Sequence, residues 1–289
     1  SLVMAYVADL VRDCDAFLFD CDGTLYHAGE AVPEAAAAVE ALRAAGKQVF
    51  FVTNTSTRSR EQLRDKLVKL GIPAHAPECY PSGVFAAAYI REAHPKADRL
   101  FVVGGDGLVD ELRKVGFDAE GDTDTSVFED TTFGALAERV RGRQYDGVVV
   151  GWDMGFSFRK LAIVSLIFET CPDAFFYATN DDPADRVAGH LLPGTGVLLK
   201  SVEQACAVAA PSRRSAAPPY SAQAVVLGKP NPAFARRIAK WSKVDLSRAC
   251  MVGDRLDTDI LMGNRAGMKS LFVLTGVDDR AAAEAAGEA

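Results

Sequence analysis

Ala16-Phe17-Leu18-Phe19-Asp20-Cys21-Asp22-Gly23-Thr24 decides the reading of this chain. Its apolar opening predicts a short buried strand that ends where two acids begin. In open α/β sheets ligands sit at the carboxyl ends of strands, so chemistry is expected at this point. Two carboxylates two residues apart can divide the work, one attacking as a nucleophile and the other moving a proton. Gly23 allows a sharp turn, and Thr24 adds an uncharged hydroxyl. Standing alone, such a stretch is more often a strand end capped by acidic turn residues. The sequence on either side decides between the two.

Moving outward, Pro33 to Ala45 predicts a helix stopped by Gly46, and Val49-Phe50-Phe51-Val52 a second buried strand running into Thr53-Asn54. Helices follow over Arg58 to Leu70 and over Ser82 to Ala93, the latter opened by Ser82 as a cap. From about residue 98 a second series begins, with strands at Leu100 to Val103, Gly147 to Val150 and Phe175 to Ala178. Helices at Gly107 to Val115, Arg159 to Glu169 and Gly196 to Ala209 alternate with them. Ala224 to Leu227 resumes the strand pattern before Gly228-Lys229-Pro230, followed by a helix from about Ala233 to Trp241. A strand at Cys250-Met251-Val252 runs into Gly253-Asp254, with a helix from about Asp257 to Arg265 and a last strand at Leu271 to Leu274. Alternation at this spacing argues for parallel sheet with helices on its faces. The opening residues are given no structural weight. The stretch 210–221, rich in Pro, Ser and Ala and carrying Arg213 and Arg214, reads as a solvated surface loop, and the alanine-rich tail as a fraying helix or disorder.

A chain of 289 residues, 49% of them hydrophobic, can bury more than one minimal core, which predicts two domains or one with a large insertion. The formal net charge of −7, with Lys and Arg scattered, leaves no footprint for nucleic acid or an anionic membrane, so small molecules are the expected partners. Six cysteines without C-x-x-C spacing indicate neither a zinc site nor a disulfide framework, and reduced cytoplasmic thiols are expected. No apolar stretch approaches the ~20 residues of a membrane span.

Four short stretches each follow a predicted strand: Asp20/Asp22, Thr53/Asn54, Lys229, and Asp254 with Asp257 and Asp259. If those strands are parallel neighbours, the side chains converge on one rim. Asp20 would then attack phosphorus to give an aspartyl phosphate, while Asp22 protonates the leaving oxygen and later takes a proton from water. A phosphate dianion among carboxylates meets repulsion of roughly 4 kcal/mol per unit pair at 4 Å and an effective dielectric near 20, so a cation is required. Asp20, Asp254 and a backbone carbonyl at Asp22 make a partial oxygen shell for Mg²⁺. Lys229 would add a fixed positive charge, the Thr53 hydroxyl and nearby backbone N–H groups would hold the phosphate oxygens, and Gly23 and Asn54 are candidate substrate-binding residues.

Asp20-Cys21-Asp22-Gly23-Thr24, Val52-Thr53-Asn54, Gly228-Lys229-Pro230 and Val252-Gly253-Asp254-Arg255-Leu256-Asp257-Thr258-Asp259-Ile260 resemble the four motifs of the haloacid dehalogenase superfamily of phosphatases. Gly151-Trp152-Asp153, Phe156-Ser157-Phe158 and Pro193-Gly194-Thr195-Gly196 look like its p-nitrophenylphosphatase branch, which includes phosphoglycolate and pyridoxal phosphate phosphatases. The resemblance implies a Rossmann-like, doubly wound parallel core over residues 1–97 and 224–289, with an α/β cap inserted over 98–223. It implies a Mg²⁺-dependent phosphomonoesterase acting on small phosphorylated metabolites, and a homodimer formed through the cap. It gives Asp20 as nucleophile, Asp22 as acid/base, Thr53 and Lys229 as phosphate partners, Asp254 as metal ligand and Asp259, ahead of Asp257, as the supporting acid. In the cap, Asn180-Asp181-Asp182-Pro183 matches the loop that faces substrate, with Asp182 the chosen residue and an ordinary turn the competing reading. Where pyridoxal phosphate enzymes carry a histidine this chain aligns Asp185, and Trp152 stands at their ring-contacting position, which counts against that substrate. Phosphoryl transfer to an alcohol and a non-catalytic scaffold are the rival functions. The intact set of Asp20, Asp22, Lys229 and Asp254 argues against a scaffold. Cys21 reads as a small core residue, and Gly104-Gly105-Asp106-Gly107 lacks the dinucleotide fingerprint.

Overall fold

A computed structural model of the chain describes residues 2–121, 133–187, 190–211, 213 and 217–287. Contacts divide it into two compact units, the first made of Ser1–Thr53, Arg60–Pro81 and Lys229–Ala289, the second of Asn54–Ser59 and Ser82–Gly228.

In the first unit, strands Lys269–Phe272, Ala249–Gly253, Ala16–Phe19, Gln48–Thr53 and Cys79–Pro81 lie side by side in that order, all parallel. Numbered along the chain, the order is five-four-one-two-three, a doubly wound sheet whose connections reverse direction between the first and fourth strands. Its central strands are apolar runs because helices cover both faces. Phe17, Phe51, Val39, Leu63, Leu67 and Ile72 meet in one core. The helix Pro232–Ser242 shows how local chemistry sets an element: Pro fits the first turn, and the Asn231 side chain accepts from the Ala233 N–H at 3.0 Å.

The second unit carries its own parallel sheet, ordered Val225–Val226, Phe175–Ala178, Gly147–Val150, Arg99–Val103, Asp118–Glu120. Helices Ser82–Ala93, Asp106–Lys114, Phe133–Arg143, Phe158–Thr170 and Thr195–Ala209 belong to it. An antiparallel hairpin joins Ala184–Val187 to His190–Pro193.

Several elements differ from expectation. The strand before Lys229 pairs with Phe175–Ala178, so it lies in the second unit's sheet rather than beside Asp20. The helix Ser82–Ala93 and the segment Asn54–Ser59 also join the second unit, which moves the divisions expected at 98 and 224. Ser82 does not cap its helix; its hydroxyl donates to the Asn54 carbonyl at 2.7 Å. The opening residues, given no weight, form the helix Leu2–Asp13, with Leu10 buried and the Tyr6 hydroxyl donating to the Ser270 carbonyl. The tail forms a helix, Arg280–Ala285, capped by Asp279. In the stretch 210–221, residue 212 and residues 214–216, Arg214 among them, lie outside the described residues. Arg213 is no solvated loop residue: it is buried and donates to the carbonyls of Pro172 and Ala174. No helix among the described residues is long and apolar enough to cross a membrane.

All six cysteines are buried free thiols. Burial pushes the thiols of Cys79 and Cys250 up to about 12, which leaves only about one thiolate in 10⁴ at pH 8. Iodoacetamide at pH 8 is therefore expected to leave the native protein unmodified, as read by intact mass, and to label every cysteine in denaturant. Rapid native labelling of any cysteine would contradict this packing.

Candidate active site

Asp20 is the first residue beyond the strand Ala16–Phe19, and its N–H donates to the Val252 carbonyl of the neighbouring strand at 2.8 Å. Asp254 follows the end of that neighbour, Ala249–Gly253. The two acids thus stand on either side of the point where the sheet reverses direction, where a crevice is left at the strands' carboxyl ends. The Lys229 ammonium donates to Asp20 Oδ1, to Asp259 Oδ1 at 2.7 Å and to the Val52 carbonyl at 3.4 Å. Asp20, Lys229, Asp254 and Asp259 are all at least 94% buried, being 6%, 3%, 0% and 1% exposed. Asp20, Asp254 and Asp259 each offer a carboxylate oxygen within 4.8 Å of the others.

The backbone around these acids is shaped to hold them. Asp254 accepts from the Thr24 hydroxyl at 3.1 Å and from the Val277 N–H at 2.7 Å. Gly23 has φ +93°, and a Cβ built there would stand 2.4 Å from Asp254 Oδ2. Its N–H is given to the Tyr26 carbonyl at 2.8 Å, and beside Asp254 it supplies room and a turn. The fourth motif does not open as a regular α-helix. Leu256–Ile260 forms a wider π-turn before the helix Leu261–Ala266, because the Arg255 carbonyl accepts from both Asp259 and Ile260 N–H groups. The turn places Asp259 inward, where its Oδ2 also accepts from the Arg255 N–H at 3.1 Å. Asp257 points out, exposed and paired with Arg255 at 3.0 Å, as a turn acid does.

Three carboxylates and one ammonium in a buried site leave an excess of negative charge. Burial, helped by the charges of Asp259 and Asp254, pushes Asp20 well above the ordinary carboxylate range despite Lys229. Asp259 is raised by burial as well. Burial opposes the Lys229 ammonium, but Asp20 and Asp259 outweigh it and raise its pKa. A buried, oxygen-only donor set with unbalanced negative charge fits a hard divalent cation.

Asp22 is placed apart from this triad. Its side chain is 62% exposed, accepts from the Tyr26 hydroxyl at 2.9 Å and lies 3.8 Å from the Lys66 ammonium, so its carboxylate is not among the clustered oxygens. Thr53 is the buried last residue of its strand. Asn54 and Asp182 come together in the second unit, with Asn54 Nδ2 donating to Asp182 Oδ2 at 2.9 Å. Trp152 donates its N–H to Ser56 and its indole N–H to the Pro193 carbonyl. The side chain of Asp185 lies outside the described residues. Sequence reading missed the loop after the last strand: Thr275 donates to the Gly23 carbonyl at 2.6 Å, Val277 to Asp254, and Asp278 accepts from the Leu256 N–H. Gly276, whose Cβ would stand 1.9 Å from Asp254 Oδ2, was the available signal.

The haloacid dehalogenase-like hydrolase family model matches residues 17–118, and a second model of the same kind matches 226–289. Glycerol-3-phosphate phosphatase of Gallus gallus is 36% identical over 274 residues, covering 93% of this chain and 82% of that protein. Chronophin of Homo sapiens is 36% identical, covering 94% and 85%, and phosphoglycolate phosphatase 2 of Arabidopsis thaliana 34%, covering 93% and 85%. Among solved structures, a thermostable NPPase from Geobacillus stearothermophilus superposes with a TM-score of 0.74 at 29% identity, covering 93% of this chain and 92% of that one. A glycerol phosphate phosphatase from Mycobacterium tuberculosis in complex with magnesium gives 0.73 at 29% identity, covering 93% and 70%.

Gly23→Ala is expected to destabilise the protein by about 2 kcal/mol or more, since the new methyl meets Asp254 in a left-handed backbone region. Thermal melting checks this, and an unchanged melting temperature would refute the close approach.

Proposed function

The chain belongs to the haloacid dehalogenase-like hydrolase family, and we propose that it is a Mg²⁺-dependent phosphomonoesterase for small phosphorylated metabolites, working through an aspartyl phosphate on Asp20. The observation that carries this reading is the buried set of Asp20, Lys229, Asp254 and Asp259 at the reversal point of the sheet. An Asp20 oxygen attacks phosphorus and the ester P–O bond breaks, with Asp22 giving its proton to the departing oxygen. Asp22 then takes a proton from water, which attacks phosphorus and breaks the bond to Asp20, releasing inorganic phosphate. The exposure of Asp22 suits a group that must meet both the leaving oxygen and water. Lys229 holds the nucleophile in place and offsets charge, and the Thr53 hydroxyl, at the adjacent strand end, is the phosphate partner. Asp20, Asp254 and Asp259 would hold Mg²⁺, with the Asp22 carbonyl as a further ligand, and the ion would neutralise charge on the phosphate oxygens.

Phosphoglycolate and glycerol phosphate head the substrates to test, after the names of the relatives. Asp182 is the residue of the second unit that we assign to selecting among leaving groups. Pairing of that unit with a second copy is part of the reading, supported by the exposed apolar side chains of Met154, Phe158, Leu191 and Val197. So is a reducing cytoplasmic setting, in keeping with the free thiols.

With Mg²⁺, the wild type is expected to hydrolyse p-nitrophenyl phosphate and to favour some members of a phosphomonoester panel, and chelation should abolish turnover. Asp20→Asn should lower kcat by at least about 10³-fold and yield no acid-stable phosphoenzyme on rapid quench. A wild type inert on the whole panel, or an Asp20→Asn variant with full activity, would overturn the proposal.

A further inference from the structure

Asn54 follows Thr53 in sequence, yet its amide is committed elsewhere. Its Nδ2 donates to Asp182 Oδ2 at 2.9 Å, and Asn180 Nδ2 donates to the same oxygen at 2.6 Å. Asn180 is itself oriented by the Thr179 hydroxyl, which donates to Asn180 Oδ1 at 3.0 Å. All of Thr179, Asn180 and Asp182 are buried. The loop carrying them is clamped by backbone as well. The Gly196 N–H donates to the Asp182 carbonyl at 2.8 Å and the Gly194 N–H to the Pro183 carbonyl at 3.1 Å. A Cβ at Gly194 would lie 2.3 Å from the Asp182 carbonyl oxygen, one at Gly196 2.4 Å from that of Asp181, and one at Gly228 2.7 Å from Asn54 Oδ1. Three glycines from two parts of the sequence are therefore required for this loop and its amide partner to close up. A turn that merely reversed the chain would need neither two amides on one carboxylate oxygen nor this packing.

We propose that Asn54 is a positioning residue for Asp182, holding its carboxylate in one orientation together with Asn180, rather than a ligand of the phosphate. The inference rests on the reading in which Asp182 selects among leaving groups. A carboxylate fixed in this way is a directed acceptor, so of the two substrates named above it suits glycerol phosphate, whose leaving group carries hydroxyls, over phosphoglycolate, whose carboxylate it would repel. Two amide donors on one oxygen also remove the rotameric freedom that would blur such a preference.

The test compares Asn54→Ala, Asp182→Ala and the double variant, by kcat/KM for glycerol 3-phosphate and for p-nitrophenyl phosphate and by inhibition with inorganic phosphate. Each single variant is expected to lower the ratio of glycerol 3-phosphate to p-nitrophenyl phosphate turnover by roughly tenfold, about the loss of one charge-assisted hydrogen bond. The double variant should fall no further than Asp182→Ala, and phosphate inhibition should stay within about twofold of wild type in Asn54→Ala. Should Asn54→Ala fail to fold, Asn54→Ser, which keeps a shorter donor, carries the same comparison with a smaller shift. Asn54 acting directly on phosphate would instead weaken phosphate inhibition strongly, lower both substrates alike and add in full to Asp182→Ala; that result overturns the inference. If Asp182→Ala moves the ratio and Asn54→Ala does not, the inference alone falls. If Asp182→Ala leaves the ratio unchanged, the selecting role of Asp182 falls with it.

Discussion

The Lys229 ammonium is what allows the first unit to bury its acids. It lies between Asp20 and Asp259, residues far apart in sequence, with a third contact to the Val52 carbonyl. Taking a carboxylate out of water costs several kcal/mol even after relaxation, and that cost is offset only by a partner of opposite charge with good geometry. Two carboxylates and a carbonyl use up the three donors of one ammonium, so its position is determined by all of them at once. Asp20 is thereby held in one orientation. The third acid, Asp254, receives only dipoles from Thr24 and Val277, and the site as a whole keeps negative charge in excess. Such a site favours a cation, and the same burial and crowding of negative charge raise Asp20 and Asp259.

Backbone close approach does the remaining placement. Gly23, Gly253 and Gly276 are each so near Asp254 or Asp259 that a Cβ would overlap the acid. The acids are thus packed against main chain, which cannot adjust as a side chain could. The widened turn at Leu256–Ile260 serves the same end, since a regular turn would rotate Asp259 away from Lys229.

What the sequence disclosed follows from what is local. Asp20 and Asp254 could be placed because an apolar run of strand length followed by acids is a signal within a few residues. Fold class followed from the alternation of such runs with helical patterns. Lys229 was rightly grouped with Asp20, but by a faulty route: its preceding strand, Val225–Val226, is only two residues long and pairs in the other sheet. Strand partnership is a long-range property that no local pattern carries. The same holds for the hydrogen bond of Asn54 to a residue 128 positions away. Arg213 was misjudged because a Pro- and Ser-rich context signals exposure, whereas its guanidinium satisfies two carbonyls of a distant turn. The helix Phe133–Arg143 gives a weak local signal because Gly134 and Gly142 interrupt its pattern.

The two sheets make the relation between fold and site explicit. Each is parallel and doubly wound, and each therefore has a reversal point where a crevice should open at the strand ends. In the first sheet that point lies between Ala16–Phe19 and Ala249–Gly253, and acids occupy it. In the second it lies between Arg99–Val103 and Gly147–Val150, followed by Gly104-Gly105 and Gly151-Trp152. There the crevice is closed by protein. The Gly105 N–H donates to the Trp152 carbonyl, Ser56 accepts from the Trp152 N–H, and a Cβ at Gly151 would lie 2.7 Å from Ser56 Oγ and 2.9 Å from Leu108. A Cβ at Gly107 would likewise strike the Thr57 carbonyl oxygen at 2.5 Å. The glycine cluster, which lacks the dinucleotide fingerprint, is therefore there to admit the segment Asn54–Ser59. The topology supplies two positions for a ligand, and the residues at each decide that one takes chemistry and the other takes a piece of the chain.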